Sequence, residues 1–301
     1  MAFSVNDNGT WKTVKKLSVN DGTWKAVKSG WINKAGVWTK FYASDTSITI
    51  TGGNNIDLRS LYQSSTGDYS STPVDVSFNV TGDIGSTSTS TAALDTGAWP
   101  AGSNITLTNN AAIVGAGGAG GYPGLEMNAS RPYRGQDGFP GGTAIYLRYN
   151  LTCINNYVIG GGGGGGGGGV RGIRPIGTTY KFWAGGGGGA GITAGAASSC
   201  VTLNGTYCVL GTAGSWFNGG SGGAAGIIDS GKAYYCYGGS GGSLGSKGGD
   251  ASPGYSSNTS YPPGPNYTYP GVGGAAGVAI ARNGNTLTLT GQTTQVYGAI
   301  T

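Results

Sequence analysis

The sequence contains no histidine and a single glutamate, Glu126. That excludes histidine-based triads, imidazole-ligated metals and most general-base chemistry. The aspartates are scattered, and no two stand in the paired setting that glycoside hydrolysis needs. Cys153, Cys200, Cys208 and Cys236 do not have zinc-site spacing. No catalytic residue, metal or cofactor is therefore expected. Charged residues make up only 10% of the chain, and no apolar run approaches the roughly 20 residues that span a bilayer, so membrane insertion is not expected either. The start, MAFSVNDNGTWK, has no apolar export core. What fills the space is glycine: 65 of 301 residues, about three times ordinary usage.

The net charge of +5 is local. Residues 1–42 carry seven lysines and two aspartates, and the remainder is neutral. Without clustered arginines or a broad positive face, this does not read as a nucleic-acid surface. It reads as a solvated or docking surface. The same segment holds a repeat: VNDNGTWKTVKK (5–16), VNDGTWKAVKSG (19–30) and a weaker INKAGVWTKFYA (32–43). Each copy has an Asn/Asp-Gly type turn followed by Trp and alternating residues, a hairpin signature. Trp11, Trp24 and Trp38 are equivalent, with Trp31 between. Units this small must stack on one another or on a partner, so residues 1–45 are read as an all-β attachment module.

Residues 46–114 read as a β-rich connecting domain, because SITIT and VDVSFNV alternate apolar and polar positions. Two echoes then appear. ITLTNNAAIVGAGG (105–118) matches LTCINNYVIGGGG (151–163), aligning Asn109–Asn110 with Asn155–Asn156. GGTAIYLRYNLT (141–152) matches AGVAIARNGNTLT (276–288). The chain returns repeatedly to one plan of strand, Asn turn and glycine.

Glycine tracts occupy 115–124, 135–142, 160–169, 185–195, 211–226, 238–249 and 271–277, and glycine recurs every third residue within them. Three residues per turn is the period of the polyproline II helix. One bare edge lets a neighbouring backbone approach closely. Several tracts are bare on two edges, and the ten consecutive glycines 160–169 are bare all round. Such helices have no internal hydrogen bonds, so their amides must pair with neighbours or water. A flexible linker would lack the period, collagen would need long proline-rich triplets, and a phosphate loop would need one strand–loop–helix unit. The fold class expected is mostly non-helical: N-terminal β modules, then a packed polyglycine II sandwich at 115–280 with variable loops, and a C-terminal β segment at 281–301 packing back on the sandwich or the β domain.

Periodic glycine tracts alternating with unlike, aromatic-rich segments resemble the distal adhesins of T-even-like bacteriophage long tail fibres, over about residues 110–280. The resemblance implies a lattice of about ten short polyglycine II helices. It implies loops that contact a host outer-membrane protein or surface glycan, and a separate N-terminal module on the trimeric fibre shaft, here carried by Trp11, Trp24, Trp31 and Trp38. It also implies residence at the tip of the tail fibre of a virion assembled in the host cytoplasm. The alternative is a structural or ice-binding glycine-rich protein.

The segments between tracts concentrate aromatics, and Tyr-rich loops with Ser, Gly and Asn are the chemistry of paratopes. Candidate receptor contacts are Tyr133, Tyr180, Trp183, Tyr234, Tyr235, Tyr237, Tyr255, Tyr261, Tyr267 and Tyr269. Strict alternation of seven tracts places 125–134, 170–184 and 227–237 at one end, and 143–159, 196–210 and 250–270 at the other. Cys200 and Cys208 flank Leu203–Asn204–Gly205. They read either as a disulfide across a hairpin tip or as two packed thiols.

Overall fold

A computed structural model describes residues 46–124, 133–169, 172–173, 181–198, 206–229, 232–256 and 268–301, together with six strands between residues 4 and 43. Those six strands form three antiparallel hairpins, Ser4–Asp7 with Thr10–Thr13, Ser18–Asn20 with Trp24–Ala26, and Ser29–Lys34 with Val37–Ala43. The register sets an asparagine opposite a tryptophan in each: Asn6 with Trp11, Asn20 with Trp24, and Asn33 with Trp38.

From Thr46 the chain winds as a parallel β-solenoid of three sheets. The first sheet stacks Thr46–Ile50, Asp75–Val80, Asn104–Asn109, Leu151–Asn155 and Leu287–Gly291. The second stacks Gly53–Asn54, Ile84–Gly85, Ile113–Val114, Ile159–Gly160 and Val296–Tyr297. The third stacks Ile56–Asp57, Leu94–Asp95, Ile145–Tyr146 and Ile280–Ala281. Alternation along each strand turns one set of side chains inward. Residues at the same register then pile into columns: Ile48, Phe78, Leu107, Cys153 and Leu289 form one, and Ile84, Ile113, Ile159 and Val296 another. Phe78, Leu107, Ile113 and Ile159 are fully buried, and each such side chain contributes about 1.5–3 kcal/mol by leaving water.

Asparagines tie the coils together. Asn109 Nδ2 donates to Asn155 Oδ1 (2.8 Å), Asn156 Nδ2 to Asn110 Oδ1 (2.8 Å) and Asn110 Nδ2 to Asn79 Oδ1 (2.7 Å). The two sequence echoes are thus solenoid registers: the Asn pairs face each other, and Ile145 and Leu151 lie against Ile280 and Leu287.

Among the described residues there is one α-helix, Leu58–Thr66, capped by Asp57 Oδ1 accepting from Ser60 N (2.7 Å) and closed by left-handed Gly67. It buries Leu58 and Tyr62, one turn apart, against the first coil. Among the described residues, no helix is long and apolar enough to cross a membrane.

The glycine tracts are excursions from two coils of the solenoid. Asn104 and Asp75, hydrogen-bonded in neighbouring coils, are 29 residues apart; Asn156 and Asn110 are separated by 46, and Thr286 and Asn150 by 136. The extra lengths leave after Val114 and after Gly160 and return at Ile145 and Ile280.

Candidate functional site

The excursions form a lattice of backbone. Its centre is thread 160–169, wholly buried. Gly162, Gly165 and Gly168 donate their N–H groups to the carbonyls of Gly142, Phe139 and Gln136, each at 2.8 Å. Gly163, Gly166 and Gly169 donate to Ala190, Gly187 and Ala184, also at 2.8 Å, and Gly164 and Gly167 donate to Ser246 and Gly249 at 3.0 Å. The carbonyls of the same thread accept from 115–124, from 239–245 and from 271–277. Six neighbours therefore surround it, and each direction repeats every three residues. Thread 185–191 is enclosed in the same way by 115–124, 160–169, 195–198, 209–215, 220–223 and 239–242.

Packing explains why these two tracts are nearly pure glycine. A Cβ at Gly162, Gly165 or Gly168 would overlap the carbonyl oxygens of Ala116, Ala119 and Tyr122; one at Gly163 or Gly166 would overlap those of Gly242 and Gly239. Side chains stand mostly on edges without a neighbour; Ala190 of thread 185–191 is buried in a cluster with Ala112, Val114, Val158 and Leu244, next to the solenoid. Thread 115–124, bonded to four others, carries side chains in one phase, from buried Ala116 through half-buried Ala119 to exposed Tyr122; exposed Ser240 and Ser243 mark the free edge of 238–244. At the rim, carboxylates take the place of absent threads. Asp137 Oδ1 accepts from Val272 N and Asp250 Oδ1 from Gly273 N, both at 2.8 Å. The hydrogen bond from Lys247 Nζ (2.8 Å), followed by that from Gly273, holds the Asp250 carboxyl below the usual carboxylate range.

Hydrogen-bond direction places the loops. Threads 115–124, 160–169, 193–198, 218–223 and 246–251 run away from the solenoid; threads 135–142, 185–191, 209–215, 238–244 and 271–277 run back. The seven tracts are thus ten threads, because three of them contain a reversal. Ser215 N donates to Asn218 O (2.7 Å) around Trp216–Phe217, Ser246 N to Ser243 O (2.9 Å) at Gly245, and a bend at 191–193 joins 185–191 to 193–198. All three reversals lie beside the solenoid. This corrects the expected alternation. Residues flanking the segments 125–132, 170–180, 199–205, 230–231 and 257–267 all stand at the far end, so 196–210 and 250–270 share an end with 125–134, 170–184 and 227–237. Segment 143–159 instead supplies solenoid strands.

The far end is roofed by three small sheets. Tyr133–Arg134 pairs with Thr268–Tyr269. Lys181–Ala184 lies between Gly172–Ile173 and Thr206–Val209. Lys232–Tyr237 lies between Ala224–Asp229 and Ser252–Ser256. Contacts between their strands make them one surface.

The candidate residues divide as follows. Tyr235 and Tyr237 are exposed, at 39% and 41%, with ring centroids 6.2 Å apart and planes 17° from parallel. Tyr133, Tyr234, Tyr255 and Tyr269 lie on strands of the tip, and the register sets Tyr255 opposite Tyr235. Tyr180, Tyr261, Tyr267 and Cys200 fall outside the described residues. Trp183 is buried at 1% exposure. Its strand runs directly into the enclosed thread 185–191, so its ring supports the tip from within and offers no surface to a ligand. Cys208 is disulfide-bonded, whereas Cys153 and Cys236 are buried thiols outside any disulfide, pushed up to about 12 by burial. Trp11, Trp24, Trp31 and Trp38 are placed by their backbones alone, on the hairpins.

Residues 45–301 match the family model described as phage tail fibre adhesin Gp38. The match extends the expected resemblance, about 110–280, back through the whole solenoid and leaves the hairpins outside it. The solved structure of the gp37–gp38 adhesin tip complex of the bacteriophage S16 long tail fibre is similar to this chain. It has a TM-score of 0.53 and 25% identity, over 86% of this chain and 83% of that one. A comparison with curated proteins found no match.

Proposed function

We propose a function from the premise that this chain belongs to the Gp38 family of phage tail fibre adhesins: it recognises a host bacterial surface through the far end of its glycine lattice. The observation that carries this reading is the sorting of loops. Tight reversals are confined to the solenoid side, and the aromatic-rich segments other than 143–159, which builds the solenoid, open at the opposite end. A lattice of backbone offers few side-chain pockets, so ligand contact falls to its loops. Tyr133, Tyr180, Tyr234, Tyr235, Tyr237, Tyr255, Tyr261, Tyr267 and Tyr269 are assigned to that contact. The receptor class is an outer-membrane protein or a surface glycan, and the role is binding without turnover. Family membership favours this reading over a structural or ice-binding one.

The other end is assigned to the fibre. The similar structure is a complex of gp38 with gp37. We assign the partner here to the trimeric shaft, held through the hairpins that carry Trp11, Trp24, Trp31 and Trp38, with the chain at the fibre tip of the virion. Replacing the far-end segments with those of another family member should change which cells the adhesin binds and leave its melting unchanged. Replacing the reversals at 191–193, 216–217 and 244–245 should not alter cell choice. Unchanged cell choice after all far-end segments have been exchanged would overturn the reading. Removing residues 1–44 should release the adhesin from the fibre; a fibre still capped by the shortened chain would refute that assignment.

A further inference from the structure

The exposed tyrosine pair stands on the central strand of its sheet. Cys236, between the two rings in sequence, points the other way and is buried with Ala225 and Ala184. One face of the sheet is therefore seated on the protein, and the opposite face carries Tyr235 and Tyr237. Residues directly opposite each other on antiparallel strands share a face. Beside Tyr237 these are exposed Ala224 on one side and half-buried Ser252 on the other; beside Tyr235, Gly226 lies on the Ala224 side and Tyr255 on the Ser252 side. Continuing the row outward, Val209 is exposed at 41% on the thread next to Ala224, where the pairing of Thr212 with Ser221 fixes its level. The two rings thus rise beside a floor of Ala224 and Gly226, with the register positions of Ser252 and Tyr255 on their other side.

We propose that this shelf binds a pyranose ring of a host surface glycan, the apolar face of the sugar lying against Tyr235 and Tyr237. The proposal rests on the receptor-recognition reading above and names its ligand class. Three observations favour a sugar over a protein loop. A protein anchor gains most from a fully desolvated pocket, and here Ala224 and Gly226 leave one side of the rings open. The row from Val209 to Ser252 carries no charge, which suits a neutral ring. Tyrosine pairs an apolar face with a hydroxyl, and with Ser252 it supplies hydrogen-bonding groups at the rim for sugar hydroxyls. The Cys236 thiol beneath is buried on the opposite face and takes no part in the shelf.

The test uses the full chain and two probes from a strain that it binds: purified lipopolysaccharide, and outer-membrane protein in detergent micelles freed of lipopolysaccharide. Wild type should bind the lipopolysaccharide. Tyr237→Ala and Tyr235→Ala should each weaken that binding about tenfold, the effect of one lost stacking contact of about 1.4 kcal/mol. Tyr237→Phe should stay within about threefold, because the ring face is kept. Melting of the variants is measured in parallel, and Ala224→Trp, which fills the floor and leaves both rings in place, should abolish binding. Binding to the protein micelles alone, or lipopolysaccharide binding unaffected by both alanine variants and by Ala224→Trp, would overturn the proposal. Cell binding that still follows exchanged far-end segments would then show that the recognition reading stands without it.

Discussion

Phe78 and Gly165 occupy comparable places in the two halves of the molecule. In the solenoid, Phe78 is stacked between Ile48 and Leu107, and the strands around it are held apart by side chains. In the lattice, Gly165 gives its N–H to Phe139, accepts from Gly274 and lies against the carbonyl of Ala119, with no side chain between. The first interior is made of apolar area leaving water. The second is made of peptide groups that satisfy one another completely. Glycine loses about 0.5–1 kcal/mol more than alanine on ordering, and a hydrogen bond returns about 0.5–1.5 kcal/mol net. The lattice therefore has little surplus per residue and depends on near-complete pairing. A solenoid column can relax around a smaller side chain. A thread surrounded on six sides cannot relax around a larger one.

That contrast orders the expected effects. Gly165→Ala should be the most damaging single change, because its methyl meets fixed backbone and not a movable side chain. We expect a loss above about 4 kcal/mol, seen as failure to give a cooperative melt. Gly67→Ala, at a left-handed helix end with open space around it, should cost only about 1 kcal/mol. A mild effect at Gly165 would break the comparison. Phe78→Ala should cost about 3–5 kcal/mol and still leave a folded, cell-binding adhesin at low temperature. Asn155→Ala removes the partners of Asn109 and of the Gln292 carbonyl. It should cost about 2 kcal/mol in a denaturant titration.

Smaller effects probe the rim. The folded Asp250 carboxyl titrates below its unfolded value. Its contribution is thus present above the unfolded value of about 4 and is lost as pH falls through that value towards the folded one. Asp250→Asn should flatten the acid limb of the melting profile slightly and lower the melting temperature by a small amount at pH 7 relative to wild type. A thiol reagent at pH 8 should leave Cys153 and Cys236 unmodified until the protein unfolds, since both thiols are buried and pushed up to about 12.

Much of this division was legible in the chain. The three-residue glycine period implies threads packed side by side, and the unbroken run 160–169 implies a thread enclosed on all sides. The Asn-Asn and Ile/Leu echoes mark positions that prove to be stacked registers. The rest was hidden for physical reasons. Reversals at 191–193 and Gly245 sit inside glycine-rich sequence, where a turn needs no distinctive residue. At 216–217 the turn reads as a mere interruption of the period. Missing them misplaces 196–210 and 250–270, whereas 227–237, reached after two missed reversals that cancel, keeps its expected end. The solenoid was obscured because its coils vary from about 30 to 136 residues, so no fixed period survives. Helix Leu58–Thr66 did carry signals, Asp57 at its start and Gly67 at its end, within a segment otherwise patterned as strand. Trp183 shows the limit of reading binding from aromatic content: an aromatic between tracts serves equally to seat the tip on its lattice.

The most direct measurement is amide hydrogen exchange resolved at Gly161–Gly169. Backbone groups that all pair with neighbouring threads should exchange only through global unfolding, as slowly as the amides of Phe78 and Leu107 in the solenoid. Exchange of the nine glycine amides within seconds at neutral pH, while Phe78 and Leu107 remain protected, would contradict a core built from peptide groups.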